Sequence, residues 1–235
     1  MTIARYVLAL FVFFYLLYGL IPTFYYKCFR KPGFLKGHER KRIILTFDDG
    51  PDSNYTGKLL ALLEKNGVRA SFFVVAKKAA QNPALIRRML DGGHLVALHS
   101  LEHKSALGKG WRYIEADFKK SLEILGELGC SLRYYRPPWG HFNLASIYFA
   151  KKHRLKLLLW NVMAQDWEQD SRAQDILHRL LSRTKNGAVI CLHDSGESSG
   201  GARGAPLETI EALSSFLPIM LQRGYQFALP DEDVM

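Results

Sequence analysis

The chain has 235 residues, of which 48% are hydrophobic and 23% charged, enough for one sizeable core and too apolar for a disordered polymer. A formal charge of +10 invites a nucleic-acid reading. Much of the excess, however, sits in Lys27, Arg30, Lys31, Lys36, Arg40, Lys41 and Arg42, against Glu39, which leaves little support for nucleic acid as a partner.

From Tyr6 to Tyr26 no side chain is charged. At about 1.5 Å per residue this run covers roughly 30 Å, the thickness of a bilayer's hydrocarbon core. It predicts a transmembrane helix within residues 1–26. A cleavable signal peptide is the alternative, but no Ala-x-Ala-like site follows the apolar run. Pro22 with Phe24, Tyr25 and Tyr26 reads instead as the interfacial end of a retained anchor. Residues 27–41 then form a basic juxtamembrane linker suited to anionic lipid or an anionic wall polymer. The same basic flank favours a cytoplasmic carboxyl side, although long domains translocate despite such charge. Cys28, Cys130 and Cys191 are an odd, scattered set with neither a disulfide framework nor metal spacing.

Beyond the linker, strand and helix patterns alternate over residues 42–230. Strands are expected at Arg42–Phe47, Ala70–Val75, Leu95–His99, Tyr134–Arg136, Lys156–Val162, Ala188–His193 and Tyr225–Leu229. Helices are expected at Thr56–Asn66, Pro83–Asp91, Arg112–Leu128, Leu144–His153, Ala173–Thr184 and Pro206–Arg223. Glycines after Asn66, Asp91 and Leu128 suit left-handed helix caps. The alternation predicts a parallel β/α architecture, a distorted (β/α)7-type barrel preceded by the transmembrane helix. Polar residues end nearly every strand: Asp48 and Asp49, His99, Arg136, Asp166 and His193. In β/α barrels that rim carries the chemistry.

Asp48 and Asp49 stand where an apolar strand opens into a Gly-Pro turn, and adjacent side chains leave a strand in opposite directions. The two carboxylates are therefore placed for different work, one as a metal ligand and one as a base. His99 and His103, at i and i+4, would share a face on a helical turn. With Asp49 they form a facial two-His, one-Asp set with open positions, for which zinc is the first choice and cobalt, nickel or manganese are other occupants.

Thr46-Phe47-Asp48-Asp49-Gly50-Pro51, His99-Ser100-x-x-His103, Arg136-Pro137-Pro138-Trp139-Gly140, Asp166-Trp167 and Leu192-x-His, here Cys191-Leu192-His193, come in one order. In these motifs the chain resembles the polysaccharide deacetylases, the NodB-homology group called carbohydrate esterase family four. The resemblance spans about residues 41–228 and implies metal-dependent removal of N-acetyl groups from the amino sugars of a polymer, facing the cell envelope. Peptidoglycan or another N-acetylglucosamine polymer is the implied substrate. By resemblance, Asp48 is the general base, Arg136 its partner, His193 the general acid and Asp166 the group that raises the His193 pKa. Asp49, His99 and His103 are the implied metal ligands. The Trp139 N–H would bind the oxyanion, and Pro138, Trp139, Trp167 and Leu192 would contact substrate.

The chain departs from the family pattern at three places. Met163 stands where the fourth motif opens with Asp or Asn, and Cys191 replaces a leucine in the fifth. Leu95 and Leu98 make the third strand more apolar, which predicts a narrower, drier groove near the metal. The Gly-rich stretch 196–204 reads equally as a substrate loop or a surface connector. Two other functions stay open, an amidase acting on a non-sugar amide and an inactive glycan-binding envelope protein.

Overall fold

In the computed structural model, which describes residues 2–30, 41–197 and 199–232, the chain opens on a nearly unbroken apolar helix. It comprises α1 (Thr2–Tyr15), a π-helical segment (Leu16–Leu20) and α2 (Ile21–Phe29). The stretch Ile3–Phe29, within which an 18-residue window reaches a mean hydropathy of 2.2, has the length and composition of a membrane span. It runs past the expected boundary at Tyr26, and most of the expected linker, Lys31 to Arg40, lies outside the described residues. The end of the helix is docked on the domain. Thr23 Oγ1 donates to the Phe142 carbonyl at 2.8 Å and accepts from the Phe142 N–H at 2.8 Å. The Tyr26 ring stacks on Phe142 with centroids 4.6 Å apart.

The domain is built on parallel strands β1 (Arg42–Asp48), β2 (Ser71–Val75), β3 (Leu95–Ser100), β4 (Tyr134–Tyr135), β5 (Lys156–Leu157), β6 (Val162–Met163), β7 (Ala188–His193) and β8 (Gln226–Phe227). They pair in the order β5-β4-β3-β2-β1-β7-β6, with β8 joining the start of β1. Two findings differ from the sequence reading. The single strand expected over Lys156–Val162 divides into β5 and β6, which occupy opposite edges of the sheet. Consequently the sheet curls as an open half-barrel, and no pairing closes it among the described residues. Residues 158–161 cross the seam between the two edges. There the carbonyls of Leu158 and Leu159 accept from Arg136 Nε at 2.8 Å and Nη2 at 3.3 Å. A buried guanidinium thus satisfies backbone oxygens that a closed ladder would have paired.

Around the sheet lie α3 (Thr56–Lys65), α4 (Ala76–Gln81), α5 (Pro83–Asp91), α6 (Trp111–Glu127), α7 (Leu144–Lys152), α8 (Ala173–Arg183) and α9 (Ala205–Gln222). β1, β2 and β7 are buried along almost their whole length, so their unbroken apolar runs are covered on both faces. Gly67 and Gly129 cap α3 and α6 with φ of 63° and 80°, whereas after α5 the left-handed residue is Gly93, not Gly92. α4 was not expected, because six residues carry too little helical periodicity to read.

Candidate active site

β1 and β7 pair in parallel with Asp48 opposite His193, so the register sets a carboxylate and an imidazole side by side at the carboxyl rim. Asp48 ends its strand, but Asp49 turns the chain at φ 76°. A non-glycine residue in that region is strained by about 1–2 kcal/mol, and the turn separates the two carboxylates. Beyond it, a Cβ at Gly50 would run into the Asp194 carboxylate, so only glycine fits there.

Asp48 faces Arg136, which follows β4 and is 0% exposed. Arg136 Nη1 donates to Asp48 Oδ1 at 2.6 Å and to Thr46 Oγ1 at 2.8 Å, and its guanidinium lies 4.0 Å over the Phe73 ring. Cys191 Sγ lies 3.4 Å from the other carboxylate oxygen of Asp48. Burial and the neighbouring Asp48 carboxylate push the Cys191 thiol well up, so it stays protonated and donates.

Asp49 faces the two histidines. Its Oδ1 is 3.2 Å from His99 Nε2 and 2.9 Å from His103 Nε2. The pair does not lie on a helical turn, as the spacing predicted: His99 belongs to β3, and His103 lies in the following loop at φ 54°. That loop folds back, with the His103 N–H donating to Ser100 Oγ at 2.7 Å, and the ring centroids stand 5.1 Å apart. His99 Nδ1 lies 2.7 Å from the Arg136 carbonyl, which can only accept, so Nδ1 carries a proton and Nε2 is the ring atom turned toward Asp49. At 3.2 Å this contact needs either a proton on Nε2, which makes it a hydrogen bond, or a cation that both atoms ligate. His103 Nδ1 is buried without a hydrogen-bond partner. Burial lowers the His103 pKa despite Asp49, which favours the neutral ring that a metal needs. Burial opposes ionisation of Asp49, yet hydrogen bonds from His103 and His99 hold its carboxyl well below the usual range. With all ligand atoms within 4.8 Å of one another, this set fits a divalent cation.

Across the site, His193 Nδ1 stands 3.0 Å from Asp166 Oδ1, and the His193 N–H donates to Asp166 Oδ2 at 2.8 Å. Thr209 Oγ1 donates to the same oxygen at 3.2 Å. Burial disfavours charge on His193, but the carboxylates, Asp166 foremost, raise its pKa to about 10. Engaged at Nδ1, the ring presents Nε2 to the cleft.

Asp48, Asp49, His99, His103 and His193 line one cavity of about 450 Å³, with Trp139 and Trp167 on its walls. Arg136 and Asp166 lie behind it. Pro138 and Leu192, expected to touch substrate, do not line it. Strand alternation is the reason for Leu192: Cys191 and His193 point to the cleft, and Leu192 turns into the core. Leu95 and Leu98 are core residues too and do not narrow the groove. Ser199, Gly200 and Gly201 line the cavity, so the Gly-rich stretch is part of its wall. The Trp139 N–H, in a turn at φ 54°, has no hydrogen-bond partner among the described residues.

Five lining residues are not assigned from sequence, one of them His141 in the loop just after the third motif. Cys191 was legible, two positions before His193 on one strand face. Met163 was noted only as a departure, and Trp160 comes from the seam, whose position depends on the strand division. Lys27 comes from the apolar helix, and no local pattern foretells that contact.

A profile of the polysaccharide deacetylase family matches residues 36–158. The chain is 29% identical to a peptidoglycan-N-acetylglucosamine deacetylase of Bacillus cereus, over 83% of this chain and 89% of that protein. It is 30% identical to the peptidoglycan-N-acetylglucosamine deacetylase PgdA of Listeria monocytogenes, over 84% of this chain but only 40% of that longer protein. The fold superposes on the peptidoglycan deacetylase PdaC from Bacillus subtilis with a TM-score of 0.72 at 26% identity, covering 83% of this chain and 90% of that one. The profile spans more than half of the sequence, including the strand ends that carry Asp48, Asp49, His99 and Arg136, and the chain belongs to the polysaccharide deacetylase family.

Proposed function

We propose that the chain is a metal-dependent hydrolase removing N-acetyl groups from amino sugars of a cell-envelope or extracellular polysaccharide, peptidoglycan or an N-acetylglucosamine polymer. The observation that carries this reading is the divided pair of carboxylates. Asp48 is held by Arg136, Asp49 by His99 and His103, and both face His193 in one cavity. The relatives named above as peptidoglycan-N-acetylglucosamine deacetylases support the substrate class.

A divalent cation held by Asp49, His99 and His103 supplies a Lewis acid that polarises an amide carbonyl and acidifies water. Two imidazoles and one carboxylate suit zinc, with cobalt, nickel or manganese as other occupants. Asp48, oriented by Arg136, accepts the proton of the attacking water. His193, charged through Asp166, delivers a proton from Nε2 to the departing nitrogen as the C–N bond breaks, giving acetate and a free amine. The Trp139 N–H donates to the oxyanion of the tetrahedral intermediate. The indoles of Trp139 and Trp167 wall the sugar. The apolar helix serves as a single-pass membrane anchor with the domain on the extracytoplasmic side, where such polymers lie, and the basic residues after it meet anionic lipid or wall polymer.

The test uses the full chain in detergent, with acetate release measured from N-acetylglucosamine oligomers and from peptidoglycan, with and without added metal. Asp48→Asn and His193→Ala are each expected to lower kcat by about 10²–10⁴-fold, with metal content unchanged. No release from any glycan by the metal-loaded protein overturns the reading. A carboxyl-terminal reporter fusion tests the topology, and a strong cytoplasmic signal overturns the extracytoplasmic placement.

A further inference from the structure

Lys27 has no part in the reaction above, yet it lines the same cavity as Asp48, Asp49, His99 and His103. It reaches the cleft because the end of the apolar helix is docked against the loop that follows the third motif, through Thr23 and Tyr26 on Phe142. Gly19 adds to the fit, since a Cβ there would stand 3.0 Å from Leu107 Cδ2. Gly140, in the motif itself, leaves the passage for the lysine stem: a Cβ at Gly140 would lie 3.0 Å from Lys27 Cε. The Lys27 ammonium has neither a hydrogen bond nor an ion pair among the described residues. The carboxylates of the cleft are already engaged, Asp48 by Arg136 and Asp49 by the two imidazoles. An unpaired ammonium projecting into a substrate cleft is a site for an anionic group.

A second observation says where that anion comes from. Beside the same helix end lies a groove lined by Tyr26, Phe29 and Arg30 of the helix and by Lys151, Arg154 and Lys156 of the domain. Apolar surface ringed by cations, at the end of a helix with the composition of a membrane span, matches the headgroup layer of an anionic bilayer. In that layer the anions are phosphates, and Lys27 enters the cleft from the same side.

We propose that the cleft takes an N-acetylated amino sugar carrying a phosphate at the membrane surface, with Lys27 binding the phosphate while the acetamido group lies between Asp48 and His193. This rests on the deacetylase reading and narrows its substrate.

The experiment measures acetate release by the full chain, metal-loaded and in lipid nanodiscs. Three probes are compared: neutral chitotetraose, soluble N-acetylglucosamine 1-phosphate, and the dodecyl phosphodiester of that sugar in phosphatidylcholine vesicles. Lys27→Ala is expected to lower kcat/KM on the phosphate probes about tenfold more than on chitotetraose, mostly through KM, as loss of one charge-assisted hydrogen bond implies. Lys27→Arg retains most of the preference, and Lys27→Glu reverses it. A preference confined to the lipidated probe assigns the phosphate to a membrane lipid, and an equal preference for both phosphate probes assigns it to a free sugar phosphate. Equal losses on all three probes overturn the proposal and leave the deacetylase reading standing. Absence of acetate from every probe overturns both.

Discussion

Asp48 and Asp49 are neighbours with different partners because the backbone turns left-handed between them. The cost of that turn is met by contacts, and those contacts divide the labour. Arg136 shows how closely stability and chemistry are joined at this scale. Its charge is fully buried, and it is neutralised by Asp48 and satisfied by Thr46 and the carbonyls of Leu158 and Leu159. Arg136→Ala leaves Asp48 buried without its counter-charge, and the expected loss is about 3–5 kcal/mol in urea unfolding, beyond any effect on rate. Adding Asp48→Ala to that variant should restore part of the loss. A single variant within about 1 kcal/mol of the wild type would show that water, not Arg136, solvates the carboxylate.

At the level of elements, the chemistry depends on how helices brace the loops after strands. Asp117 of α6 accepts the Leu101 N–H at 3.1 and 3.3 Å and so ties down the start of the His103 loop. Burial raises its pKa from 3.8 to about 6. The sign follows from the order of titration. As pH rises, the unfolded chain loses this proton first, so the stabilisation is complete below pH 4 and is lost as pH passes through about 6. The swing is up to about 3 kcal/mol at about 1.4 kcal/mol per unit. Asp117→Asn keeps an acceptor without the charge, so its stability at pH 7.5 should exceed the wild type's, with the difference shrinking at pH 4.5. Parallel profiles for the two proteins would rule out Asp117 as the source. The same elements show what sequence can and cannot reveal. β1, β3 and β7 are legible because apolar runs end in polar residues, and α5 because Pro83 opens it and its apolar period is strong. The His99–His103 spacing fits a helical turn as well as it fits a folded-back loop, and the choice is made by Ser100 Oγ accepting the His103 N–H and by Asp117 of α6 holding Leu101. Reading Leu-x-His as a block hides that alternate strand positions face opposite ways, which is why Leu192 lies in the core and not in the cavity wall.

For the molecule as a whole, metal and fold are linked. Without a cation, Asp49 and His99 Nε2 stand 3.2 Å apart with only a proton to join them, so an ion bound there adds its binding energy to the folded state. A ligand present at about a hundred times its Kd stabilises the folded state by about 2.7 kcal/mol, so chelation should lower Tm by roughly 5–10 °C. Readdition of zinc should restore it, and a Tm indifferent to chelator would mean that the cluster holds no ion. The rim was readable at this scale from polar residues at strand ends. The contact between the apolar helix and the domain was not, because Thr23 and Phe142 are 119 positions apart and carry no shared pattern.

The open seam has a consequence for how such an enzyme changes over time. Trp160 lies within the crossing segment and Met163 just beyond it, and both form cleft wall. Side chains there sit on backbone held at its margins and by one guanidinium, not on a central ladder. Exchanging them alters the shape that a sugar meets without shifting the register of β1 and β7, where Asp48 and His193 are aligned. The seam is therefore the stretch where selection, or a protein engineer, can retune substrate choice with the least disturbance to the catalytic alignment.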